Sequence, residues 1–277
     1  MNKYLKIFGI STILLCCCAV QAQTENQSND APSLVYGSMT DERDGTVYKT
    51  IQIGEQVWFA ENLNTTEYKD GTPIPLGDDV DVFSYDEDQR NFYFNPNGDS
   101  KNSETYGRLY TYAAATQGIC PVGWRASTDV DWVIMEMALG MSVKDVLGHH
   151  FDRGRGAELA PKMMATNELW PDNEGANETG FGVLLAGYKT LAQGNHPSFA
   201  FFSERAYFLT TSLGPDGVFY DGTKPLNRAI RRNFEPDIIG INRDSNIPLG
   251  YGFSVRCVEG DYFPADLQKP REGTAEH

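Results

Sequence analysis

The sequence contains little positive charge and little histidine. Its 277 residues include 23 Lys and Arg against 38 Asp and Glu, which gives a formal net charge of −15. Proteins that bind DNA or RNA need a dense Lys and Arg patch for the phosphates, so nucleic acid is not expected as a partner. Of the four His residues, His149 and His150 are adjacent, and they cannot both face one metal ion on a regular element. A zinc site is therefore not expected.

Several motifs that mark enzymes are also absent. The chain contains no P-loop, no GxGxxG, no HExxH and no GxSxG, which excludes the common signatures for phosphate binding, dinucleotide binding, zinc proteolysis and serine nucleophiles. Carboxylates are abundant, so a glycosidase-type carboxylate pair remains open, although no motif supports it. We therefore expect a protein without catalytic activity.

Long apolar runs are absent except at the N-terminus. Lys3 and Lys6 precede an apolar stretch over residues 7–20, and Ala22 ends a short small-residue motif. This pattern predicts a secretory signal peptide over residues 1–22, because a membrane-spanning helix needs about 20 apolar residues. The chain is expected outside the cytoplasm, in the periplasm, on the outer-membrane surface or secreted. Lipidation within Cys16–Cys18 is the alternative to cleavage after Ala22, and only then would the chain be anchored to a membrane.

The rest of the chain is predicted to form one domain. Residues 23–35 are polar and predict a flexible tether, residues 36–263 form the domain, and residues 264–277 predict a loose tail. The whole chain is 40% hydrophobic, which is enough apolar material for one large core.

A hairpin and several helices are predicted in the first half of the domain. Residues 47–53 and 56–59 are rich in β-branched and aromatic side chains, and Gly54-Glu55 between them suits a type II′ turn. The Ala-rich segment 106–116 predicts a helix. A second helix is predicted over residues 128–140, with Thr128 as its N-cap, and a short helical turn follows from Ser142.

Short strands are predicted in the second half. The apolar runs 181–186, 206–211 and 251–258 favour strands, and glycines and asparagines separate them. Helices in one block followed by short strands indicate an α+β fold.

Two cysteines remain once the signal peptide is removed. Cys120 and Cys257 are expected to form a disulfide, because the exported chain meets an oxidising compartment. A bridge over so long a loop contributes roughly 4–5 kcal/mol in the chain-entropy treatment. A redox pair or a thiol nucleophile is the alternative, although the two residues do not form a CxxC motif.

One segment combines an aromatic side chain with amides and carboxylates. Trp170, Asp172, Asn173, Glu174 and Asn177 lie within eight consecutive positions. Sugar rings stack their CH faces on indole, and their hydroxyls bond to amides and carboxylates. The segment therefore predicts a ligand-binding site for a glycan. A buried Trp beside a polar turn is the alternative.

A second segment places side-chain oxygens at alternate positions. Asn242, Asp244 and Asn246 suggest a calcium site, because calcium prefers carboxylate and carbonyl oxygens. The segment lacks the Gly and the Glu that an EF-hand loop has at its sixth and twelfth positions. We expect either a structural calcium ion here or no cofactor.

Four blocks resemble a known family. They are DERDGTVYKTIQIGEQVWFAENLNTTEYKDGTPIP at 41–75, YGRLYTYAAA through CPVGWRASTDVDW at 106–132, ANETGFGVLLAGYK at 176–189 and YGFSVRCVEG at 251–260. In this order they are similar to the Fibrobacter succinogenes major paralogous domain family.

The resemblance implies a C-type-lectin-like fold, in which two helices pack on short antiparallel sheets with long loops. It also implies secreted and surface proteins of Bacteroidetes, often lipoproteins, and a relation to the formylglycine-generating enzyme. That oxidase binds copper through two closely spaced cysteines, whereas Cys120 and Cys257 are far apart and would staple a loop to the last strand. The resemblance thus favours a non-catalytic module that binds a glycan or a surface protein through long loops. A structural or accessory subunit of an envelope complex is the alternative.

Overall fold

Two β-sheets are the main regular structures of the described part of the chain. The computed structural model describes residues 34–80, 90–148, 155–165, 177–190, 198–214, 219–220, 225–226, 228–235 and 238–260. The predicted signal peptide, most of the predicted tether and the predicted tail lie outside these ranges, and so remain predictions. The described residues form a mixed α+β structure in which strands outweigh a few short helices.

The strands and helices are numbered in chain order. The strands are β1 (Tyr36–Thr40), β2 (Val47–Ile53), β3 (Gln56–Phe59), β4 (Tyr93–Phe94), β5 (Leu109–Tyr110), β6 (Trp124–Ala126), β7 (Tyr188–Lys189), β8 (Phe199–Ala200), β9 (Ala206–Leu213), β10 (Phe219–Tyr220), β11 (Pro225–Leu226), β12 (Arg228–Glu235), β13 (Ile238–Pro248), β14 (Phe253–Ser254) and β15 (Cys257–Glu259). The helices are α1 (Ser103–Tyr106), α2 (Tyr112–Thr116), α3 (Asp129–Ala138), α4 (Val143–Val146) and α5 (Ala160–Met163).

The two main sheets have five and six strands. The five-stranded sheet has the order β1-β2-β3-β15-β6, and the six-stranded sheet has the order β13-β12-β9-β14-β5-β4. Neighbouring strands are antiparallel, except that β14 runs parallel to β9. Two further pairs, β7 with β8 and β10 with β11, are separate ribbons.

The inner strands β3 and β15 of the five-stranded sheet are covered on both faces, whereas the edge strand β1 is mostly exposed. Alternate side chains of a strand point to opposite faces, so Phe59 and Cys257 join one hydrophobic cluster while Trp58 and Val258 join another. The second cluster also holds Trp132 of α3, whose ring meets that of Trp58 edge-on at 5.6 Å. The sheet is therefore the layer between two cores.

The predicted hairpin is confirmed. Strands β2 and β3 pair in register, with Ile53 opposite Gln56, and Gly54 has a φ of 60° in the turn between them. A positive φ at the first turn position is what a type II′ turn requires and what Gly adopts without strain.

The helix predicted from Thr128 is also confirmed. The Thr128 hydroxyl accepts a hydrogen bond from the Asp131 N–H, and the Asp131 carboxylate accepts one from the Thr128 N–H, so the two residues form a capping box. Trp132 and Met135 are fully buried on the inner side of α3. The short turn from Ser142 is present as α4, with the Ser142 hydroxyl as its cap.

The prediction of one helix over residues 106–116 is wrong in its first half. Leu109 and Tyr110 form β5, which pairs with both β14 and β4, and both side chains are fully buried. The helix begins only at Tyr112, after the N-cap Thr111. Burial between two strands outweighs the helix propensity of the following alanines, because propensity is a weak preference beside tertiary packing.

The three predicted strand runs have different outcomes. The run 206–211 is confirmed as part of β9. The run 181–186 contains only an isolated bridge from Val183 to Met164. The run 251–258 is split into β14 and β15 by two residues outside regular structure, Val255 and Arg256.

The buried side chain of Arg256 connects the final strands to two other segments of the domain. Its side chain is fully buried and donates to the Asn62 Oδ1 and to the carbonyls of Phe59, Phe181 and Gly182. Burial lowers the pKa of Arg256 to about 9. The guanidinium also lies 4.5 Å from the Phe181 ring centroid, so a single side chain ties β3, the final strands and the 181–182 segment together.

A second buried cluster of charges joins α3 to the six-stranded sheet. Arg232 bonds to Asp129 at 2.7 Å and to Glu136 at 2.8 Å. Arg243 bonds to Asp129 at 2.5 Å, and Arg155 bonds to Glu136 at 2.5 Å. All five residues are buried, so these close contacts compensate for the loss of hydration.

The predicted disulfide between Cys120 and Cys257 is confirmed. The two sulfurs are 2.00 Å apart across a sequence separation of 137 residues. The bridge fixes the loop that follows α2 to β15, and both cysteines are buried.

Candidate functional site

One face of the six-stranded sheet carries both aromatic rings and ion pairs. We call it the aromatic–arginine face. It consists of Tyr188, Phe201, Arg205, Tyr207, Arg231, Glu235, Asp244, Tyr251 and Phe253.

The register of the strands brings these distant segments together. Arg231 of β12 lies opposite Asp244 of β13, and Asn233 lies opposite Asn242 and, on the other side, Tyr207 of β9. Residues two apart on a strand share a face, so Arg231 and Asn233 point the same way. The face is therefore built across neighbouring strands and does not come from one loop.

Tyr188 is at the centre of the aromatic rings. Its ring stacks on Tyr251 at 5.8 Å, on Phe253 at 5.5 Å and on Phe201 at 6.0 Å, and Tyr207 meets it edge-on at 4.8 Å. Tyr207 and Phe253 are buried, whereas Tyr188, Phe201 and Tyr251 are partly exposed. Three stacked aromatic side chains are thus packed on the core and only partly covered by it.

Two guanidinium groups cover these rings. Arg231 lies 4.8 Å from the centroid of Tyr207 and 5.3 Å from that of Phe253, while Arg205 lies 4.2 Å from that of Phe201. Each guanidinium also meets a carboxylate, Arg205 with Glu235 at 2.8 Å and Arg231 with Asp244 at 3.4 Å. Cation–π contacts and ion pairs together hold these donors in place.

The tyrosine hydroxyls of the face are kept neutral. Burial raises the pKa of Tyr207 well above its usual value, and the nearby Glu235 charge raises it further. Burial also raises the pKa of Tyr188. Both hydroxyls therefore stay protonated, and able to donate a hydrogen bond, to a higher pH than that of an exposed tyrosine.

The backbone beside the face is strained. Phe201 has a φ of 58° and Ser203 a φ of 62°, and apart from Gly and Asn no other described residue has a positive φ. A bulky residue in this region costs of order 1–3 kcal/mol, and such strain concentrates at binding sites. The backbone around Gly187 is also closely packed. A Cβ at this position would clash with the Ala200 carbonyl oxygen, so only glycine fits there without a shift of the backbone.

The glycan site predicted from the sequence falls mostly outside the described residues. Trp170, Asp172, Asn173 and Glu174 lie there, so that site remains a prediction. Asn177 is described: its Oδ1 accepts from the Gly182 N–H at 2.9 Å, and its Nδ2 donates to the Tyr36 hydroxyl at 3.0 Å. Both polar ends of this side chain are engaged within the protein.

The residues of the predicted calcium site lie along a strand. Asn242, Asp244 and Asn246 are alternate residues of β13, and the Asp244 carboxylate faces the Arg231 guanidinium. A calcium ion at this point would compete with a cation that the protein already supplies. Among the described residues, no three His, Cys, Asp or Glu side chains are grouped to hold a metal ion. The calcium ion remains a prediction.

Sequence reasoning missed the aromatic–arginine face. Its members come from segments around 188, 201–207, 231–235, 244 and 251–253, and no sequence spacing connects them. The one local signal is the alternation of polar residues in Arg231-x-Asn233-x-Glu235, which is typical of a strand with a polar face. Arg232 interrupts that signal, because a charged residue stands at a buried position of the opposite face.

The comparisons with known proteins concern the domain as a whole. The family model described as Fibrobacter succinogenes major domain matches residues 51–259. No curated protein and no solved structure matches the chain. Within the described ranges, no helix has both the length and the apolar character to cross a membrane.

Proposed function

We propose that this chain, which belongs to the Fibrobacter succinogenes major domain family, is a non-catalytic module that binds a glycan outside the cytoplasm. The observation that carries the proposal is the aromatic–arginine face, where three partly exposed aromatic rings adjoin two Arg–carboxylate pairs. Aromatic rings can pack on a sugar ring, and the neighbouring charged groups can bond to its hydroxyls.

The chemistry of sugars explains the match. A sugar ring has an apolar CH face, which packs on the face of a tyrosine or phenylalanine ring. Its hydroxyls each donate and accept hydrogen bonds, and Arg and carboxylate side chains supply the matching acceptors and donors. The strained Phe201 backbone supports the same role, because a fixed aromatic ring loses little entropy on binding.

The absence of catalysis is part of the proposal. The disulfide consumes both Cys120 and Cys257, so neither thiol is free to bind copper or to act as a nucleophile. A tightly packed bridge of this kind supports a structural role for the two cysteines.

We also propose that the domain has a C-type-lectin-like fold and that the protein is located outside the cytoplasm. Two observations support a C-type-lectin-like fold. The chain belongs to the family, and a disulfide links the loop after α2 to the last strand. A disulfide is typical of proteins in oxidising compartments and supports export to the periplasm, the outer-membrane surface or the medium.

Replacing one accessible ring tests the glycan proposal. Tyr251→Ala should weaken binding on an oligosaccharide array by about 2 kcal/mol, or roughly thirtyfold, because an aromatic stacking surface is lost. Val122→Ala is the control: Val122 is 75% exposed in the loop after Cys120, outside the aromatic–arginine face, and its truncation should leave binding unchanged. Equal binding by both variants and the unmodified protein would show that the glycan does not use this face.

A third variant separates the two proposed locations of the site. Trp170→Ala should abolish array binding if the segment predicted from the sequence holds the ligand, and should spare it if the aromatic–arginine face does.

An accessory role in an envelope assembly is the second candidate function. The edge strand β1 and its neighbourhood favour it, because Val35 is 79% and Val47 59% exposed and an open strand edge can pair with a partner. No binding to any saccharide, together with recovery of a membrane complex in a pull-down from native envelopes, would select this role.

A further inference from the structure

The outer edge of strand β1 differs from the other edges of the two main sheets. Strand β6 has three residues, β4 has two, and β13 pairs with register shifts. Strand β1 instead pairs with β2 over five consecutive residues without a shift, and it carries no charged side chain and no proline. Natural sheets protect their edges with short strands, bulges, proline or charge, because an unprotected edge pairs with another strand. The edge at β1 has none of these protections.

The register shows which backbone groups of β1 point away from β2. The Asp41 N–H donates to the Thr46 carbonyl, so the bonded pairs along this antiparallel ladder fall on alternate residues of β1. The residues between them, Tyr36, Ser38 and Thr40, therefore direct their N–H and C=O groups outward. All three residues are exposed, and no hydrogen bond within the described residues occupies these outward groups.

The outward groups are self-complementary about Ser38. When a second copy approaches antiparallel with a two-fold axis at Ser38, the two Ser38 residues face each other and Tyr36 faces the partner's Thr40. Each outward N–H then meets an outward carbonyl, which gives about six backbone hydrogen bonds across the contact. Any other antiparallel register leaves an outward residue of β1 beyond the end of the partner's strand.

We propose that β1 pairs with β1 of a second copy in this register, so that the protein forms a symmetric dimer with one continuous sheet. Two-fold dimers are the commonest homo-oligomers, and they need only a surface that is complementary to itself. The inference goes beyond glycan binding and does not rest on it, because the aromatic–arginine face is built on the other sheet.

The side chains at the contact bring no like charges together. Tyr36, Ser38 and Thr40 share one face of the strand, so Tyr36 lies beside the partner's Thr40. Val47, which is 59% exposed, is opposite Thr40 on β2 and extends this row. Lys49 is opposite Ser38 on β2, and the two copies of Lys49 would be three strand spacings apart, about 14 Å, which exceeds the Debye length of about 8 Å at physiological salt. The contact is therefore neutral, although each chain has a formal net charge of −15.

Sedimentation velocity of the unmodified protein tests the dimer. Two five-residue strands form a smaller contact than a standard interface, which buries about 800 Å² per partner, so we expect a weak dimer. At about 150 mM salt, the average mass should rise from monomer towards dimer as the protein concentration increases from about 1 μM to about 1 mM. A monomer at every concentration would overturn the proposal and leave the edge to a strand of another protein.

Two substitutions at the axis locate the contact. Ser38→Pro removes an outward N–H from each copy, and an edge strand tolerates proline where the N–H faces solvent. The loss of two hydrogen bonds should weaken the dimer at least about tenfold. Ser38→Ala keeps the N–H and is the matched control, which should dimerise like the unmodified protein. Equal dimerisation of the two variants would place the contact elsewhere and contradict the proposal.

Cross-linking tests the register even if Ser38→Pro is unstable. In this register, the two Cα atoms at position 38 lie about 5.5 Å apart, within the range that a disulfide spans. Ser38→Cys should therefore give a covalent dimer on mild oxidation. Glu55→Cys, at an exposed position in the turn between β2 and β3, should cross-link at least about tenfold more slowly, because no pairing brings its copies together. Equal rates for the two variants would overturn the proposed register.

Discussion

Arginine has two different roles in this molecule, and burial decides between them. Arg232 is fully buried and bonds closely to both Asp129 and Glu136, whereas its neighbour Arg231 is partly exposed and meets one carboxylate loosely. Adjacent strand residues face opposite sides of the sheet. One side of β12 therefore anchors α3 to the sheet, and the other contributes to the aromatic–arginine face.

The buried cluster predicts a strongly destabilised variant. Asp129→Asn should lower the free energy of unfolding by about 3–5 kcal/mol, because Arg232 and Arg243 each lose a buried carboxylate partner. Urea denaturation at neutral pH measures this loss. The exposed Glu158→Gln removes the same charge and should cost less than about 0.5 kcal/mol.

The same carboxyl makes stability depend on pH. Burial alone would raise the pKa of Asp129, but the charges and hydrogen bonds of Arg232 and Arg243 hold it well below its usual value. This stabilisation is complete above the unfolded pKa of about 3.9 and is lost as pH falls below it. The unfolding free energy of Asp129→Asn should therefore fall less between about pH 5 and about pH 3 than that of the unmodified protein. Parallel slopes would contradict this account.

Elements are predictable where local signals agree with the tertiary environment. The Thr128 cap, the apolar side of α3 and the Gly54 turn can be read from sequence because each is formed by near neighbours. Strand β5 was predicted as helix because its pairing partner lies far away in the chain. The hairpin of β12 and β13 was not predicted, since both faces of β12 carry polar residues and the alternation is hidden.

The capping box of α3 predicts a moderate loss of stability. Thr128→Ala should lower the free energy of unfolding by about 1–2 kcal/mol, because the buried Asp131 N–H loses its acceptor. Thermal denaturation followed by circular dichroism measures the change. The exposed Thr116→Ala at the end of α2 is the control, and an equal effect of the two substitutions would argue against the capping role.

At the scale of the whole molecule, the disulfide is the longest covalent constraint on the fold. Breaking it in Cys120→Ser should lower the free energy of unfolding by about 2–5 kcal/mol, and reduction of the unmodified protein should have a similar effect. Melting temperatures with and without a reductant measure this. If the reductant lowered the melting temperature of Cys120→Ser as much as that of the unmodified protein, the bridge would not be the cause.

The class of the fold and the family were both accessible from the sequence, whereas the aromatic–arginine face was not. Motif blocks and the cysteine count are properties of the linear chain. The face depends on the register of β9, β12 and β13 and on two loops that pack against them. Register is set by long-range pairing, which single-sequence patterns do not specify.

The last two strands of the described domain are inner strands of the two sheets, so both sheets can be completed only late in synthesis. Strands β14 and β15 end the described domain, yet β14 lies between β9 and β5, and β15 lies between β3 and β6. Until residue 259 has left the ribosome, each sheet lacks an inner strand, and Arg256 and Cys257 cannot make their contacts. Neither sheet of a growing chain can therefore be completed until the last strands have been synthesised. A premature stop after residue 250 would remove both β14 and β15 and divide both sheets in two.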